Sequence, residues 1–465
     1  MPATTPTAAT PTATGPAAPS LPSAPVPPTR DGEADRCLAA AVEIGSRLAD
    51  GRSLATAIDA WRRRTTLPFA WGHASLLTGS AGPALLDRAL WRATADETWA
   101  DRARDALAAA ARSTVEDPLR GPGTDGTGGL LLAVADAASD DDRYRPSLRA
   151  LASRAAEQVS ALPPTDPRGQ GESAVDVVAG RAGAVLGLVA ACDADPGGDQ
   201  VRAATAAVVA DLVRSCPPAA PGPVGHLAVR AGSGEAVDRA AAHPHGHVDL
   251  GVAHGLPGVL AALAAARTAG TDVPGLEDAM RALVGVVVGR AVHDDAGLTW
   301  TSTAGTAPDG SWLPVDEHPA RPGWCYGSPG VAAALASAAR AVGDEELRAL
   351  ALGALAAEVA RGSFARGLPS PTLCHGTAGM LAAALATAST TGGASAVAAA
   401  GAARDALLRG LDPAAPLGVR DEEVPGVRVD NAGLLCGATG VALALLDAAA
   451  PTRTTPTTAR LLALA

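Results

Sequence analysis

The chain has 465 residues and a formal net charge of −11. This acidic balance argues against a polyanionic partner such as a nucleic acid or an acidic membrane surface, and it favours a peptide or small-molecule partner. Hydrophobic residues make up 48% of the chain but aromatic residues only 2%, which is typical of an Ala-rich, closely packed helical core. No apolar stretch of about 20 residues has the Leu, Ile and Phe content of a membrane span, so stable membrane insertion is not expected.

The N-terminal segment differs in composition from the rest. Residues 1–32 are rich in Pro, Thr and Ala, with no basic start and no apolar signal region. This composition predicts a disordered tail rather than a signal peptide, and therefore a cytoplasmic protein. Six cysteines are scattered along a chain without a secretory signal, so disulfide bonds are not expected.

Seven Gly-x-x-Gly motifs divide the chain, each followed by an Ala-, Leu- and Val-rich stretch that favours helix. A chain with 52 Gly contains about six such matches by chance, so the shared sequence after each motif is what indicates a repeat. The first glycines stand 47, 54, 75, 72, 49 and 61 residues apart, which suits one helix-loop-helix pair per repeat. We number the motifs as corners 1 to 7 by these glycines: Gly79, Gly126, Gly180, Gly255, Gly327, Gly376 and Gly437.

The Gly pair of each corner suits a loop that turns into a helix. One Gly can adopt a strained turn, and the other permits close packing of the helix start against neighbouring backbone. Seven helical pairs that bury their apolar faces against one another predict an all-α fold, an α/α toroid with every corner at the same end. This toroid, with short β and loop insertions, is expected to occupy residues 33–465. An open α-solenoid is the alternative.

Two segments between corners 3 and 5 interrupt the helical pattern. His243, His245 and His247 alternate with Pro and Gly, which predicts a flexible loop at the rim of the site rather than a second metal centre. The segment from about residue 294 to 322 alternates like a short hairpin and is expected to overhang the site.

Soft metal ligands precede the glycines of two neighbouring corners. Cys325 and Cys374 stand two residues before the first Gly of corners 5 and 6, and His375 follows Cys374 directly. Equal register in neighbouring repeats of a toroid places residues close together, so two thiolates and one imidazole are expected to meet. This set selects Zn²⁺ and leaves a fourth position open, as in catalytic sites. The alternative is two buried cysteines and a core histidine. The other cysteines are interpreted as structural: Cys37, Cys192, Cys216 and Cys436.

The sequence Trp-Cys-Tyr-Gly at residues 324–327 and Cys-His-Gly at residues 374–376, set among seven Gly-rich helical repeats, resembles the lanthipeptide cyclase (LanC-like) family. The resemblance covers essentially residues 35–465. It implies an α/α toroid in which both cysteines and the histidine bind zinc, and an enzyme that closes thioether rings in a ribosomally made peptide. It also implies active-site roles for four further residues: Asp176, His254, Arg321 and Tyr326.

The reaction implied by the resemblance is Michael-type addition of a substrate cysteine thiol to dehydroalanine or dehydrobutyrine. A free thiol has a pKa of about 8.5, and binding to zinc deprotonates it. Addition leaves an enolate that needs a proton, and His254 is the candidate acid because an imidazole ordinarily has a pKa of about 6.5. Asp176 would orient that imidazole. Arg321 or Tyr326 would hydrogen-bond the developing oxyanion, unless Tyr326 only supports the ligand loop.

The sequence leaves several functions open. No upstream segment is large enough for a dehydratase, so we expect a stand-alone cyclase with a dehydrated precursor peptide as substrate and a separate dehydratase as partner. The nearest alternative is a LanC-like protein that adds a small thiol such as glutathione. A toroid glycosidase or sugar epimerase would need aromatic platforms and paired carboxylates, which the corners lack. A non-catalytic peptide-binding scaffold is a further alternative.

Overall fold

Helices account for nearly all of the regular structure. The computed structural model describes residues 32–64, 71–116, 118–119, 121–164, 169–216, 229, 241–315, 318–422, 424–450 and 457–464. The predicted tail lies outside these residues except for Gly32, at which the first helix begins. Among the described helices, none combines the length and apolar character needed to cross a bilayer.

Helices extend from Gly32 to Leu461 in the described chain. In chain order they are α1 Gly32–Ala49, α2 Gly51–Arg64, α3 Ala81–Thr94, α4 Glu97–Glu116, α5 Thr127–Ala138, α6 Arg145–Ala161, α7 Arg181–Ala194, α8 Asp199–Ser215, α9 Leu256–Thr268, α10 Leu276–Gly289, α11 Ser328–Val342, α12 Glu345–Ala360, α13 Ser363–Arg366, α14 Thr377–Thr391, α15 Ala394–Arg409, α16 Ala438–Ala449 and α17 Thr457–Leu461. Single 3-10 turns lie at Asp142–Tyr144 and Glu172–Ala174.

Every corner opens an inner helix of the predicted ring. The helices that start at corners 1 to 7 are α3, α5, α7, α9, α11, α14 and α16. Each of them contacts the next, and α16 contacts α3, so the ring is closed. The inner helices are buried on almost all sides; α11, for example, is buried from Ser328 through Ala339. The predicted all-α toroid is therefore confirmed, and the open solenoid is excluded.

A second layer of helices surrounds this ring. The helices α4, α6, α8, α10, α12 and α15 each pack against the inner helix that precedes them. They bury one face only, as α12 does with Leu347, Ala351, Ala354 and Leu355. The seventh pair is assembled differently, because the outer partner of α16 is the N-terminal helix α1. The two ends of the described chain thus complete one repeat together.

The second Gly of each corner permits a close backbone approach. A Cβ atom there would overlap the carbonyl oxygen of a residue five or six positions earlier in the corner loop. The distances would be 2.6 Å for Gly82 to Leu76, 1.8 Å for Gly129 to Thr124, 2.0 Å for Gly183 to Val177, 2.0 Å for Gly258 to Val252, 2.1 Å for Gly330 to Trp324, 2.1 Å for Gly379 to Leu373 and 2.0 Å for Gly440 to Leu434. The close packing of loop backbone against helix backbone thus explains the repeated glycine.

Short strands lie beside the corners as two small antiparallel sheets. The strands are β1 His247–Asp249, β2 Val292–Asp294, β3 Gly297–Thr299 and β4 Thr303–Gly305. β2 and β3 form a hairpin, whereas β4 pairs with β1 from the histidine-rich segment. The segment expected to be one hairpin therefore takes part in two sheets, because β4 finds its partner about 55 residues earlier in the chain.

A short segment fills the centre of the ring. Helix α17 contacts the inner helices α7, α14 and α16, which belong to different sides of the toroid. In the same segment Leu462 and Leu464 are buried. The indole Nε1 of Trp324 donates to the carbonyl of Leu462 across 2.8 Å. Because Trp324 precedes Cys325, the central segment supports corner 5 from inside the ring.

We predict that Gly183→Ala destabilises the protein by roughly 1–3 kcal/mol, because its methyl group would overlap the backbone of Val177 and Thr124. The matched control is Gly353→Ala, at an exposed position inside α12 where nothing lies within 4 Å of the added Cβ. That control should stabilise by about 0.5–1 kcal/mol, the ordinary helix preference for Ala over Gly. The midpoint of urea unfolding, followed by circular dichroism, measures both. Equal or greater stability of Gly183→Ala would contradict the packing explanation.

Candidate metal centre and active site

Backbone hydrogen bonds link the corner loops around one end of the ring. The amide-to-carbonyl pairs are Thr124 to Val177 (3.1 Å), Val177 to Ala253 (3.2 Å), Val252 to Cys325 (2.9 Å), Cys325 to Cys374 (3.1 Å), Cys374 to Leu435 (2.9 Å) and Leu434 to Leu77 (2.8 Å). The hydroxyl of Ser75 completes the circuit by donating to the carboxylate of Asp125 across 2.7 Å. Each bond joins one corner to the next, so the residues before the glycines share one space.

Cys374 and His375 of corner 6 meet Cys436 of corner 7. Their ligand atoms all lie within 4.8 Å of one another; His375 is buried and the two cysteines are half-buried. Neighbouring ligands of a tetrahedral zinc ion lie roughly 3.5–3.8 Å apart, given metal bonds of about 2.0–2.3 Å. The group therefore needs only a small contraction to hold such an ion. Among the described residues, it is the one group of three Cys, His, Asp or Glu side chains whose ligand atoms all lie within 4.8 Å of one another.

Cys325 is connected to this group through Cys374. The hydrogen bond between the two thiols and the burial of Cys325 raise the pKa of the Cys325 thiol well above its ordinary value. The positive charges of Arg321 and His254 act on the Cys325 thiol in the opposite direction. Both side chains therefore lie near this sulfur, and Cys325 binds a metal only with loss of its proton.

The ring of His375 is oriented by a buried carboxylate. Its Nε2 atom lies 3.0 Å from Oδ1 of Asp421, which also accepts a hydrogen bond from the Ser370 hydroxyl across 2.8 Å. A proton on Nε2 shared with the carboxylate leaves Nδ1 with its lone pair for a metal ion. A carboxylate behind a histidine ligand is a common arrangement at zinc sites, where it fixes the ring and strengthens the ligand.

A second imidazole–carboxylate pair joins corners 3 and 4, two corners before His375. Nδ1 of His254 is 2.6 Å from Oδ2 of Asp176. The other oxygen of this fully buried carboxylate accepts the amides of Ala179 and Gly180, each across 2.7 Å. These amides and the start of α7 stabilise a negative charge on Asp176. The side chain of His254 is 36% exposed, so its Nε2 atom can face a substrate while Nδ1 stays on Asp176.

Tyr326 has a carboxylate partner as well. Its hydroxyl donates to Oδ2 of Asp249 across 2.8 Å, and Oδ1 of Asp249 accepts the amide of Gly251 across 2.7 Å. A Cβ at Gly251 would lie 2.6 Å from the Tyr326 ring, so the ring packs closely against this glycine. The single phenol proton is committed to Asp249, which leaves the oxygen as an acceptor. This contact favours a supporting role for Tyr326 over donation to an oxyanion.

Comparisons with known proteins bear on this geometry. Residues 70–461 match the model of the family described as lanthionine synthetase C-like protein. The chain belongs to this family. Among solved structures, it is similar to nisin cyclase, with 18% identity and a TM-score of 0.69 over 90% of this chain and 98% of that chain. It is also similar to an unsaturated glucuronyl hydrolase from Bacillus sp. GL1, with 13% identity and a TM-score of 0.46 over 89% and 96%. No curated protein matches the chain.

The remaining residues named from the sequence are Arg321 and the three histidines of the loop before corner 4. Arg321 is exposed and lies close enough to Cys325 for its charge to act there. His243 packs its ring 4.9 Å from that of His247 and bonds to the hydroxyl of Thr303 across 2.9 Å. His245 is exposed. Within the described residues, these three histidines form no group of three metal ligands.

Three residues of the site were not found from the sequence. Asp249 ends the short strand β1 and Asp421 lies in a loop, and neither belongs to a sequence motif, so nothing marked them as partners of Tyr326 and His375. Cys436 was interpreted as structural because it is one residue out of register with Cys374. It does share the register of His375, directly before the first Gly of its corner, and that signal would have identified it.

A separate cavity opens at the opposite end of the ring. Its lining includes Ser139, Pro196 and Gly270, which follow the C-terminal ends of α5, α7 and α9. Its charged side chains are balanced in sign: Arg92, Arg202 and Arg460 against Asp136, Asp193 and Asp272. The ligand group lies at the N-terminal ends of the inner helices, so this cavity is not part of the candidate metal centre.

We predict that Asp421→Asn weakens zinc binding roughly 10-fold, because the neutral amide polarises the His375 ring less than a carboxylate does. Competition with a chromophoric chelator gives the dissociation constant. The control is Asp430→Asn, in the same loop, where the carboxylate pairs with Arg420 and not with the ligand group. Equal zinc affinities for the two variants would show that the Asp421 contact does not tune the metal ligand.

Proposed function

We propose that this protein is a zinc-dependent lanthionine synthetase. It adds cysteine thiols of a dehydrated precursor peptide to dehydroalanine or dehydrobutyrine and so closes thioether rings. The observation that carries the proposal is the convergence, at one end of the ring, of a cysteine–histidine group and the His254–Asp176 pair. Membership of the lanthionine synthetase C-like family supports it.

The residues that would hold the metal ion are Cys325, Cys374 and His375. Thiolates and an imidazole are the donor set that favours Zn²⁺, and the Asp421 contact leaves Nδ1 of His375 available for it. Bound zinc supplies the lowered thiol pKa that makes a substrate cysteine nucleophilic at neutral pH. The corner backbone bonds hold Cys325 and Cys374 in place before any metal binds.

His254 is the proposed proton donor to the α-carbon after addition. Its Nδ1 atom is occupied by Asp176, so the transferred proton leaves from Nε2. The buried carboxylate stabilises the imidazolium that has to form before each transfer. Asp176 is itself held by two backbone amides, which keeps the ring in one orientation.

Arg321 and Tyr326 have different proposed roles. Arg321 is exposed near Cys325 and can place its guanidinium against the oxygen on which negative charge develops. Tyr326 is a positioning residue, because its hydroxyl is bonded to Asp249 and its backbone lies beside the ligand Cys325. Of the two candidates that the sequence left open for contacting the oxyanion, we therefore propose Arg321, and we assign Tyr326 to support of the ligand loop.

The proposed substrate is a precursor peptide with leader and core. One solved structure of similar fold is nisin cyclase, whose name indicates a ring-closing enzyme. The net charge of −11 suits a peptide substrate better than a nucleic acid. A separate dehydratase is the proposed partner because the cyclisation needs a dehydrated substrate, and the proposed location is the cytoplasm.

A peptide with one dehydroalanine and one cysteine tests this function. Cyclisation by the zinc-loaded protein removes the alkylatable thiol without changing the peptide mass, whereas addition of supplied glutathione raises the mass. We expect ring closure and no glutathione adduct. A glutathione adduct without ring formation would show that the thiol substrate is a small molecule and not the peptide. Absence of both products would contradict the proposal that the protein is a cyclase.

We predict that His254→Ala slows ring closure by roughly 10²–10⁴-fold, the usual contribution of a general acid. Zinc content should stay at the wild-type level, because His254 is not among the proposed ligands. His245→Ala is the matched control, since His245 is exposed in the loop before corner 4 and should leave the rate unchanged. A His254→Ala rate within about threefold of wild type would remove His254 from the mechanism.

A further inference from the structure

Cys436 has no role in the proposed reaction, although it lies in the ligand group. It stands directly before the first Gly of corner 7, the position that His375 takes in corner 6. The amide of Cys374 donates to the carbonyl of Leu435 across 2.9 Å, which holds the two corner backbones side by side. The backbone of the ring therefore brings the Cys436 sulfur to within 4.8 Å of the Cys374 and His375 ligand atoms.

The surroundings of Cys436 differ from those of Cys192 in α7 and Cys216 at the end of α8. The Cys216 thiol donates to the carbonyl of Leu212 across 3.4 Å, and the Cys192 sulfur lies 3.2 Å from the Thr205 hydroxyl. In the part of the chain that the structure describes, the Cys436 thiol has no comparable hydrogen bond. Its polar neighbours are metal-ligating atoms, and it is half-buried.

A further thiolate would complete a donor set that zinc commonly has in proteins. Three thiolates and a neutral imidazole around Zn²⁺ leave a net charge of about −1. The guanidinium of Arg321 lies near Cys325 and opposes that charge, whereas the carboxylate of Asp421 beside His375 adds to it. A donor set of three sulfurs and one nitrogen is among the ordinary zinc sites of proteins.

We propose that Cys436 is a direct zinc ligand in this protein, so that the metal is held by three cysteines and His375. The inference rests on the proposed function, because it takes zinc binding at this end of the ring as given. It also changes how a substrate thiol would reach the metal. Four protein ligands would leave no coordination position open, so a peptide thiol would have to displace one of them to bind the metal.

The number of sulfur ligands tests the inference directly. X-ray absorption at the zinc edge should give three sulfur and one nitrogen neighbours for the wild type, and two sulfurs for Cys436→Ser. The zinc dissociation constant of Cys436→Ser should rise by more than the roughly 10- to 100-fold that loss of a supporting contact costs. Cys192→Ser is the matched control, since this half-buried cysteine lies at the opposite end of the ring, and neither quantity should change.

Two further measurements guard against a variant that simply misfolds. Cys436→His keeps a ligand at the position, so it should bind zinc with two sulfur and two nitrogen neighbours. In the wild type, saturating zinc should protect Cys436 from alkylation, as read by peptide mass mapping, and a chelator should remove the protection. Cys192 should react equally in both conditions.

The outcomes separate this inference from the proposed function. A wild type that binds zinc through two sulfurs, with Cys436→Ser at the same affinity and Cys436 alkylated equally with and without zinc, overturns only the role of Cys436. A wild type that binds no zinc overturns both. Three sulfurs in the wild type and two in Cys436→Ser establish the ligand irrespective of activity.

Discussion

The close approach of each corner loop to the first turn of its own inner helix is the contact on which the rest of the structure depends. At corners 3 to 7, a Cβ on the second Gly would lie only 2.0–2.1 Å from a backbone oxygen six residues earlier. The loop therefore doubles back tightly, and its amides and carbonyls are left for the neighbouring corner. One local contact, repeated seven times, sets both the ring and the end at which its side chains gather.

The candidate site follows from this geometry. The residue directly before the first Gly of corners 4, 5 and 6 is His254, Tyr326 and His375, and each has a buried carboxylate behind it: Asp176, Asp249 and Asp421 respectively. A carboxylate at each position fixes a ring and its proton, which a flexible side chain on a loop would not retain. The same position in corner 7 is a cysteine, and it joins the ligand group.

The first and last helices of the described residues contribute to the ring in different ways. Helix α1 completes the seventh pair by packing against α16, so the fold closes through a contact between residues far apart in sequence. The segment 457–464 enters the centre and bonds to Trp324, the residue before Cys325. The candidate metal centre is therefore supported from both sides of corner 5: by neighbouring corners on one side, and by the central segment on the other.

The sequence by itself determined the repeat, the helical class, the corners and the register of Cys325, Cys374, His375 and His254, because these depend on local preferences of Gly and Ala and on spacing along the chain. The tertiary structure alone decided which side chains face one another. Asp249 at the end of β1 and Asp421 in a loop carry no periodic signal. The position of Cys436 depends on the hydrogen bond between the backbones of corners 6 and 7. Those contacts arise from closure of the ring, and a distance across a closed ring is not encoded in the spacing of any single repeat.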